Sequence, residues 1–224
     1  MRTALVTGAN RGIGLALTKE LLHRGYTVHA THRRDIGGLA TIDHEHLLTH
    51  AMDVRDPGAI HAVVNRVGPR LDLLINNAAV YDGRSRGLTD LDVPFLREAF
   101  DVNTLGPLQM VHASLGPLST ANGCVVMIST GMSSITDRPG SNALAYRISK
   151  AGLNMLTVAL TDTLSARGVS VALLGPGWVA TDMGGPGAPL SPATSASGIL
   201  DRAEEIELGA PVQFMAYDGV PIPW

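Results

Sequence analysis

At 224 residues the chain can bury one sizeable core and is short for two. Its 45% hydrophobic and 17% charged content excludes the disordered class, and a formal net charge of −3 without a long basic run excludes an electrostatic nucleic-acid surface. Aromatic residues at 4% argue against a stacking platform for single strands, and no apolar stretch is long enough to span a bilayer. The one cysteine, Cys124, cannot close an internal disulfide, and the N-terminus opens on a strand-like run rather than a signal peptide, so a reducing, cytoplasmic setting is expected.

Residues 3–7 are a short apolar run ending in glycine, which predicts a buried strand. Leucines at helical spacing predict a helix over 12–23, followed by strands over 26–32 and 47–52. Asp56 before Pro57 marks a helix start, with Asp as the cap and Pro in the first turn. A strand over 71–75 precedes a long helical stretch that opens at Pro94 and runs towards Leu115. Residues 124–128 predict a fifth strand, 144–166 a long helix closed by Gly168, 169–174 a sixth strand and 212–215 a candidate seventh. The strands are continuous apolar runs and alternate with helices, as when both sheet faces are covered. The expected fold is a single-domain α/β protein over residues 1–224: a doubly wound, Rossmann-like parallel sheet with helices on both faces. The Gly-, Pro- and Ser-rich residues 184–197 are the irregular region, expected as a loop or lid over the ligand crevice.

Thr7-Gly8-Ala9-Asn10-Arg11-Gly12-Ile13-Gly14 joins the first strand to the first helix. Helix N–H groups there can hold a pyrophosphate, and glycines let backbone approach it. The spacing is G-x-x-x-G-x-G, not G-x-G-x-x-G. This octet resembles the T-G-x-x-x-G-I-G motif of the short-chain dehydrogenase/reductase family. The resemblance extends along most of the chain: Asp53-Val54 after the third strand, Asn76-Asn77-Ala78-Ala79 in place of N-N-A-G, Asn103, the Y-x-x-x-K pair Tyr146 and Lys150, and Pro176-Gly177 with Val179, Thr181 and Met183. Residues 177–185 and the ending 217–224 look most like the C-factor and sniffer-like carbonyl reductases.

The resemblance implies a nicotinamide cofactor held by Gly8, Asn10, Arg11, Gly12, Ile13, Gly14, Asp53, Val54, Asn77, Ala78, Tyr146, Lys150, Pro176, Gly177, Val179 and Thr181. The second strand ends Thr31-His32-Arg33-Arg34, with no carboxylate until Asp35. An arginine there suits a 2′-phosphate and an acid would repel it, so Arg33, with Arg11 as a second cation, predicts NADP(H).

Tyr146 and Lys150 lie four apart and share one helix face. An ammonium beside a phenol is expected to lower its pKa from about 10 and fit it for proton transfer. A third group should polarise a carbonyl by hydrogen bonding. Strand register favours Thr130 for this, with Ser129 facing the other way and Ser133, thirteen residues before Tyr146, as alternatives. Asn103 completes the candidate catalytic set as the resemblance implies, by holding a water that links Lys150 to solvent protons. No metal is expected: His44, Glu45, His46 and His50 cluster without partner ligands at helical spacing. Trp178 is expected to line the substrate pocket or pack under the nicotinamide, and Trp224 to anchor the tail.

The expected activity is NADP(H)-dependent reduction of an aldehyde or ketone, or the reverse alcohol oxidation, with Tyr146 exchanging the proton. The alternative is an NADP(H)-binding regulatory or signalling protein with little turnover. Epimerisation on the same scaffold is a third reading, for which a short chain leaves little room. The expected partner is a small carbonyl or alcohol, without nucleic acid or membrane. The two long helices offer faces for a homodimer or homotetramer, and a monomer stays open.

Overall fold

A computed structural model of the chain describes residues 1–83, 87–137, 140 and 142–224. Among these, seven strands form one parallel sheet. They are β1 (Thr3–Val6), β2 (Thr27–His32), β3 (Leu47–Ala51), β4 (Leu73–Asn76), β5 (Cys124–Ile128), β6 (Ser170–Gly175) and β7 (Phe214–Ala216). Their order is β3-β2-β1-β4-β5-β6-β7. The chain winds outwards from β1 in one direction and from β4 in the other. The crevice where ligands bind in such sheets therefore opens at the C-terminal ends of β1 and β4.

The helices are α1 (Gly12–His23), α2 (Pro57–Val67), α3 (Val93–Phe100), α4 (Gly106–Ala121), α5 (Leu144–Ser165) and α6 (Pro192–Glu204). Alternate strand residues feed two separate cores. Ala4, Val6, Val28 and Ala30 pack under Leu17 and Leu21 of α1 and Ile199 and Leu200 of α6. Leu5, Leu74, Val125 and Leu173 pack instead against Ile60 of α2, Met110 of α4 and Leu153 of α5. Burial on both faces explains why the strands are apolar throughout rather than alternating.

The capping chemistry read from the sequence is realised at α2, where Asp56 Oδ1 accepts from the backbone N–H of Gly58 (2.9 Å) and Ala59 (3.1 Å). Two elements differ from expectation. The irregular region ends early, because Ser191 accepts from Thr194 N (3.0 Å) and starts α6 at Pro192. The Ser-Pro cap outweighs the small, turn-forming residues that follow it. The long stretch from Pro94 is also not one regular helix. Residues 101–105 form a π-helical turn in which Gly106 N bonds Asp101 O, inserting one extra residue between α3 and α4.

Candidate active site

The C-terminal ends of β1 and β4 are joined by a dense set of hydrogen bonds. Thr7 Oγ1 accepts from the N–H of Asn77 and of Ala78, both at 3.0 Å. The Asn77 side chain donates to the carbonyls of Thr7 (2.9 Å) and Gly8 (3.0 Å). This close packing needs glycine on the other side. Gly8 has φ +64°, and a Cβ there would press on the Ala78 backbone. A Cβ on Gly14 would overlap Gly8 O and crowd the Asn77 amide. Asn10 is likewise committed, donating to Asp35 O (3.1 Å). Asn10 and Asn77 therefore shape the turn through their side chains. Gly12, Ile13 and Gly14 open α1, whose first-turn N–H groups face the crevice end of the sheet.

Beside this turn lies a charged cluster. Arg55, not singled out in the sequence, grips Asp53 with Nη2–Oδ2 at 2.6 Å and Nε–Oδ1 at 3.0 Å, which holds the Asp53 carboxyl below its usual pKa. Arg55 and Arg33 both face Glu98, at 3.5 and 4.0 Å. Val54, next to Asp53, is buried in the core on the α2 side. Arg11 does not point into this cluster: its Nη1 pairs with Asp182 at 3.1 Å, joining the glycine turn to the segment after β6. His32, at the end of β2, keeps Nδ1 buried without a partner among the described residues.

The segment after β6 is an ordered flap. Pro176 O accepts from Ser195 Oγ (2.7 Å), Gly177 adopts φ +80° against Leu190 and Tyr217, and the buried Val179 bridges Leu190. Thr181 Oγ1 accepts from Gly184 N (3.1 Å), and its methyl faces Gly12. Trp178 is 62% exposed and donates its indole N–H to Gly184 O (2.8 Å), which braces the flap.

At the end of β5 the remaining groups converge. Lys150, 2% exposed, donates from Nζ to Ile128 O at 2.7 Å. Burial lowers its pKa to about 7. The Tyr146 ring, one helical turn away, lies tilted on Tyr81 with centroids 5.2 Å apart. Its pKa is pushed up to about 12, by burial first and then by Tyr81. The expected depression of the phenol by Lys150 is thus not found. The ammonium is turned to the β5 carbonyl, and desolvation dominates at the ring.

The three hydroxyl candidates separate clearly. Ser129 Oγ donates to Asn154 Oδ1 (2.5 Å), while Ser133 Oγ donates to Thr130 O (2.6 Å) and accepts from Asn154 Nδ2 (2.9 Å). Both serines are buried in this network beneath α5. Among the described residues Thr130 Oγ1 only accepts, from Met132 N at 3.2 Å, which leaves its O–H to donate. Asn103, fully buried on the π-helical turn, accepts from Val80 N (2.8 Å) and donates to Val80 O (3.1 Å) and Ser149 Oγ (3.0 Å). It ties the chain after β4 to the residue preceding Lys150. Among the described residues no group of three or more His, Cys, Asp or Glu could hold a metal. His50 is not part of a surface cluster: it is buried with its ring stacked on His29, at Nδ1···Nε2 3.0 Å.

Tyr81, Arg55, Ser149 and Asn154 were missed in the sequence. Arg55 directly follows the Asp53-Val54 motif and Tyr81 lies two residues beyond Ala79, which was the available signal. Ser149 and Asn154 act only through pairings across the fold.

A doubly wound sheet with a glycine turn at its switch point and a buried Lys beside a Tyr defines the class of dinucleotide-binding α/β proteins. Residues 2–188 match the short chain dehydrogenase family, and the chain belongs to it. It is 38% identical over 158 residues to the C-signal of Myxococcus xanthus, covering 70% of this chain and 94% of that one. Among solved structures it is similar to the NADPH-bound carbonyl reductase from chicken fatty liver (TM-score 0.92, 32% identity, 100% and 99% of the two chains). It is also similar to the carbonyl reductase Sniffer of D. melanogaster (TM-score 0.94, 29% identity, all of both chains).

The buried Lys150 makes a pH prediction. Its folded pKa, about 7, lies below the unfolded value of about 10.4, so the unfolded chain binds more protons between those limits. Stability of the cofactor-free protein should therefore rise as pH is raised from about 7 towards 10. Urea melts of Lys150→Met across this range should show a flatter profile, and greater stability at pH 7, than the parent. Equal slopes in the two proteins would contradict the assignment.

Proposed function

We propose that the chain is an NADP(H)-dependent oxidoreductase of carbonyl-reductase type, with cofactor site and catalytic groups in one domain over residues 1–224. The observation that carries this reading is that Lys150 is held to the end of β5 through Ile128 O, two residues before Thr130, with Tyr146 one helical turn away on α5. The cradle fits a dinucleotide: Gly14 leaves no room for a Cβ, and His32 offers an unpartnered buried nitrogen at the adenosine side. The residues that would hold the cofactor are Gly8, Asn10, Arg11, Gly12, Ile13 and Gly14 around the pyrophosphate, Arg33 at the 2′-phosphate and Asp53 and Val54 at the adenine. Asn77, Ala78, Pro176, Gly177, Val179 and Thr181 would border the ribose and nicotinamide. When bound, the cofactor supplies the hydride.

The chain's own groups handle the proton and the field. Tyr146, its pKa pushed up to about 12, is protonated at neutral pH and donates to the carbonyl oxygen in the reductive direction; as a weaker acid than a free phenol it gives up the proton only to the strongly basic alkoxide that develops as the carbonyl is reduced. Thr130 donates a second hydrogen bond to that oxygen. Lys150 spends one N–H on Ile128 O, and its remaining donors would hold the nicotinamide ribose. Asn103, through Ser149, holds the Lys150 turn of α5 in place.

The substrate is a small aldehyde or ketone, or the corresponding alcohol. The setting proposed is cytoplasmic. A second reading, an NADP(H)-binding regulatory or signalling protein with little turnover, draws on the relative named C-signal. On α5, Ile148 (41% exposed), Met155 (69%) and Val158 (46%) form an apolar stripe, for which a homodimer or homotetramer is the proposed cover.

In a carbonyl panel followed by NADPH loss, Tyr146→Phe should lower kcat at least about 100-fold with NADPH binding kept. Thr130→Ala should lower kcat/KM about 10- to 100-fold, and Ser133→Ala should change it less. A function in cells that survives Tyr146→Phe would favour the second reading. Arg33→Ala should weaken NADPH about 10-fold or more and leave NADH nearly unchanged; equal effects on both cofactors would remove Arg33 from the 2′-phosphate. Light scattering should give the mass of two or four chains, with Met155→Glu returning it to one; a parent protein at one chain refutes the assembly.

A further inference from the structure

The residues after β7 fold back on the sheet and end against the loop that separates Thr130 from Tyr146. Ala216 N donates to Val220 O (2.8 Å) and Ile222 N to Phe214 O (2.7 Å), so residues 220–222 run antiparallel along β7. Gly175 has no Cβ where Ile222 packs, and the Trp224 ring rests on the buried Phe214 with centroids 5.9 Å apart. The strap is thus fixed to the sheet edge by backbone pairing and by two apolar side chains.

Its last residue meets three donors of the β5–α5 loop. Trp224 O accepts from Ile135 N (2.9 Å), Thr136 N (2.7 Å) and Ser134 Oγ (3.2 Å). Ser134 Oγ also accepts from Asp137 N (2.8 Å). Residues 135–137 lie outside any strand or helix and are exposed, Ile135 to 76%, so packing does little to hold them. Backbone N–H groups in such a segment need acceptors from elsewhere, and Trp224 supplies one oxygen for two of them. On the inner side the loop is held by Asn154 through Ser133. Residues 133–136 are therefore clamped between α5 and the strap.

We propose that Trp224 is a positioning residue for the carbonyl substrate: its main-chain oxygen fixes residues 134–136, which follow Thr130 in the loop towards Tyr146. The proposal rests on the carbonyl-reductase reading. Trp224 is placed on β7 and this loop, away from the glycine turn, so its loss should act on substrate binding and spare the cofactor.

The test compares the parent with a chain ending at residue 223, with Ile135→Pro and with Trp224→Phe. Ser134 has φ −62° and ψ 128°, which a following proline accepts, so Ile135→Pro deletes one donor while leaving the strap intact. The shortened chain should raise KM for a turned-over carbonyl about tenfold, with a smaller change in kcat and NADPH Kd within about twofold. Amide exchange at Thr136 should speed up at least about tenfold, with β4 and β5 amides unchanged. Ile135→Pro should raise KM in the same direction, and Trp224→Phe, which keeps the oxygen, should stay within about twofold of the parent. Unchanged KM and unchanged exchange in the shortened chain overturn the proposal, as does a parallel rise in NADPH Kd. Should the shortened chain fail to fold, an unchanged KM in Ile135→Pro overturns it equally. Should the parent turn over no carbonyl, the reductase reading falls, while exchange at Thr136 still decides whether Trp224 holds the loop.

Discussion

The close approach of the glycine turn to the end of β4 is the constraint on which the site depends. Thr7 and Asn77 exchange hydrogen bonds across two strands adjacent in the sheet but 70 residues apart in the chain. Those bonds form only if Gly8 and Gly14 carry no side chain, since each would push into the opposing backbone or amide. The same absence of side chains exposes the N–H groups at the start of α1. One steric condition thus closes the sheet at its switch point and leaves a polar rim able to face phosphate.

Around that rim, electrostatics are set by burial more than by pairing. Lys150 and Tyr146 both shift towards their neutral forms through desolvation, with Lys150 buried and the Tyr146 ring half-buried, and Lys150 Nζ donates one hydrogen bond to a strand carbonyl. The pair is therefore less an ion pair than two desolvated groups set one helical turn apart, whose protonation answers to whatever polar atoms enter the site. The surface charges behave differently. Arg33, Arg55 and Glu98 are half-exposed and screened, so their worth lies in which anion they select rather than in stability.

Much of this was legible in the sequence. Seven strands and the alternation with helices followed from apolar runs and turn residues, because a sheet buried on both faces writes itself as uninterrupted hydrophobic segments. The glycine turn and the Tyr146–Lys150 spacing were legible because each depends on residues near in sequence. What was not legible depends on partners far away. Asn154 bonds Ser129 and Ser133 and thereby sets them apart from Thr130, and Arg11 turns to Asp182, 171 residues along the chain. The start of α6 was hidden because its small residues read as loop until the Ser191 cap is weighed. The direction of the Tyr146 shift was misread because spacing on a helix says nothing of how much water surrounds the ring.

The π-helical turn at residues 101–105 has a consequence for how this chain tolerates change in length. The i→i−5 bond takes up one extra residue inside the turn, and the bulge carries the buried Asn103 to Val80 and Ser149. Removal of a single residue here would restore regular i→i−4 bonding but abolish the turn that presents Asn103. A change of length at this point would therefore act first on the Val80–Asn103–Ser149 link and through it on the start of α5, although it improves the local helix geometry.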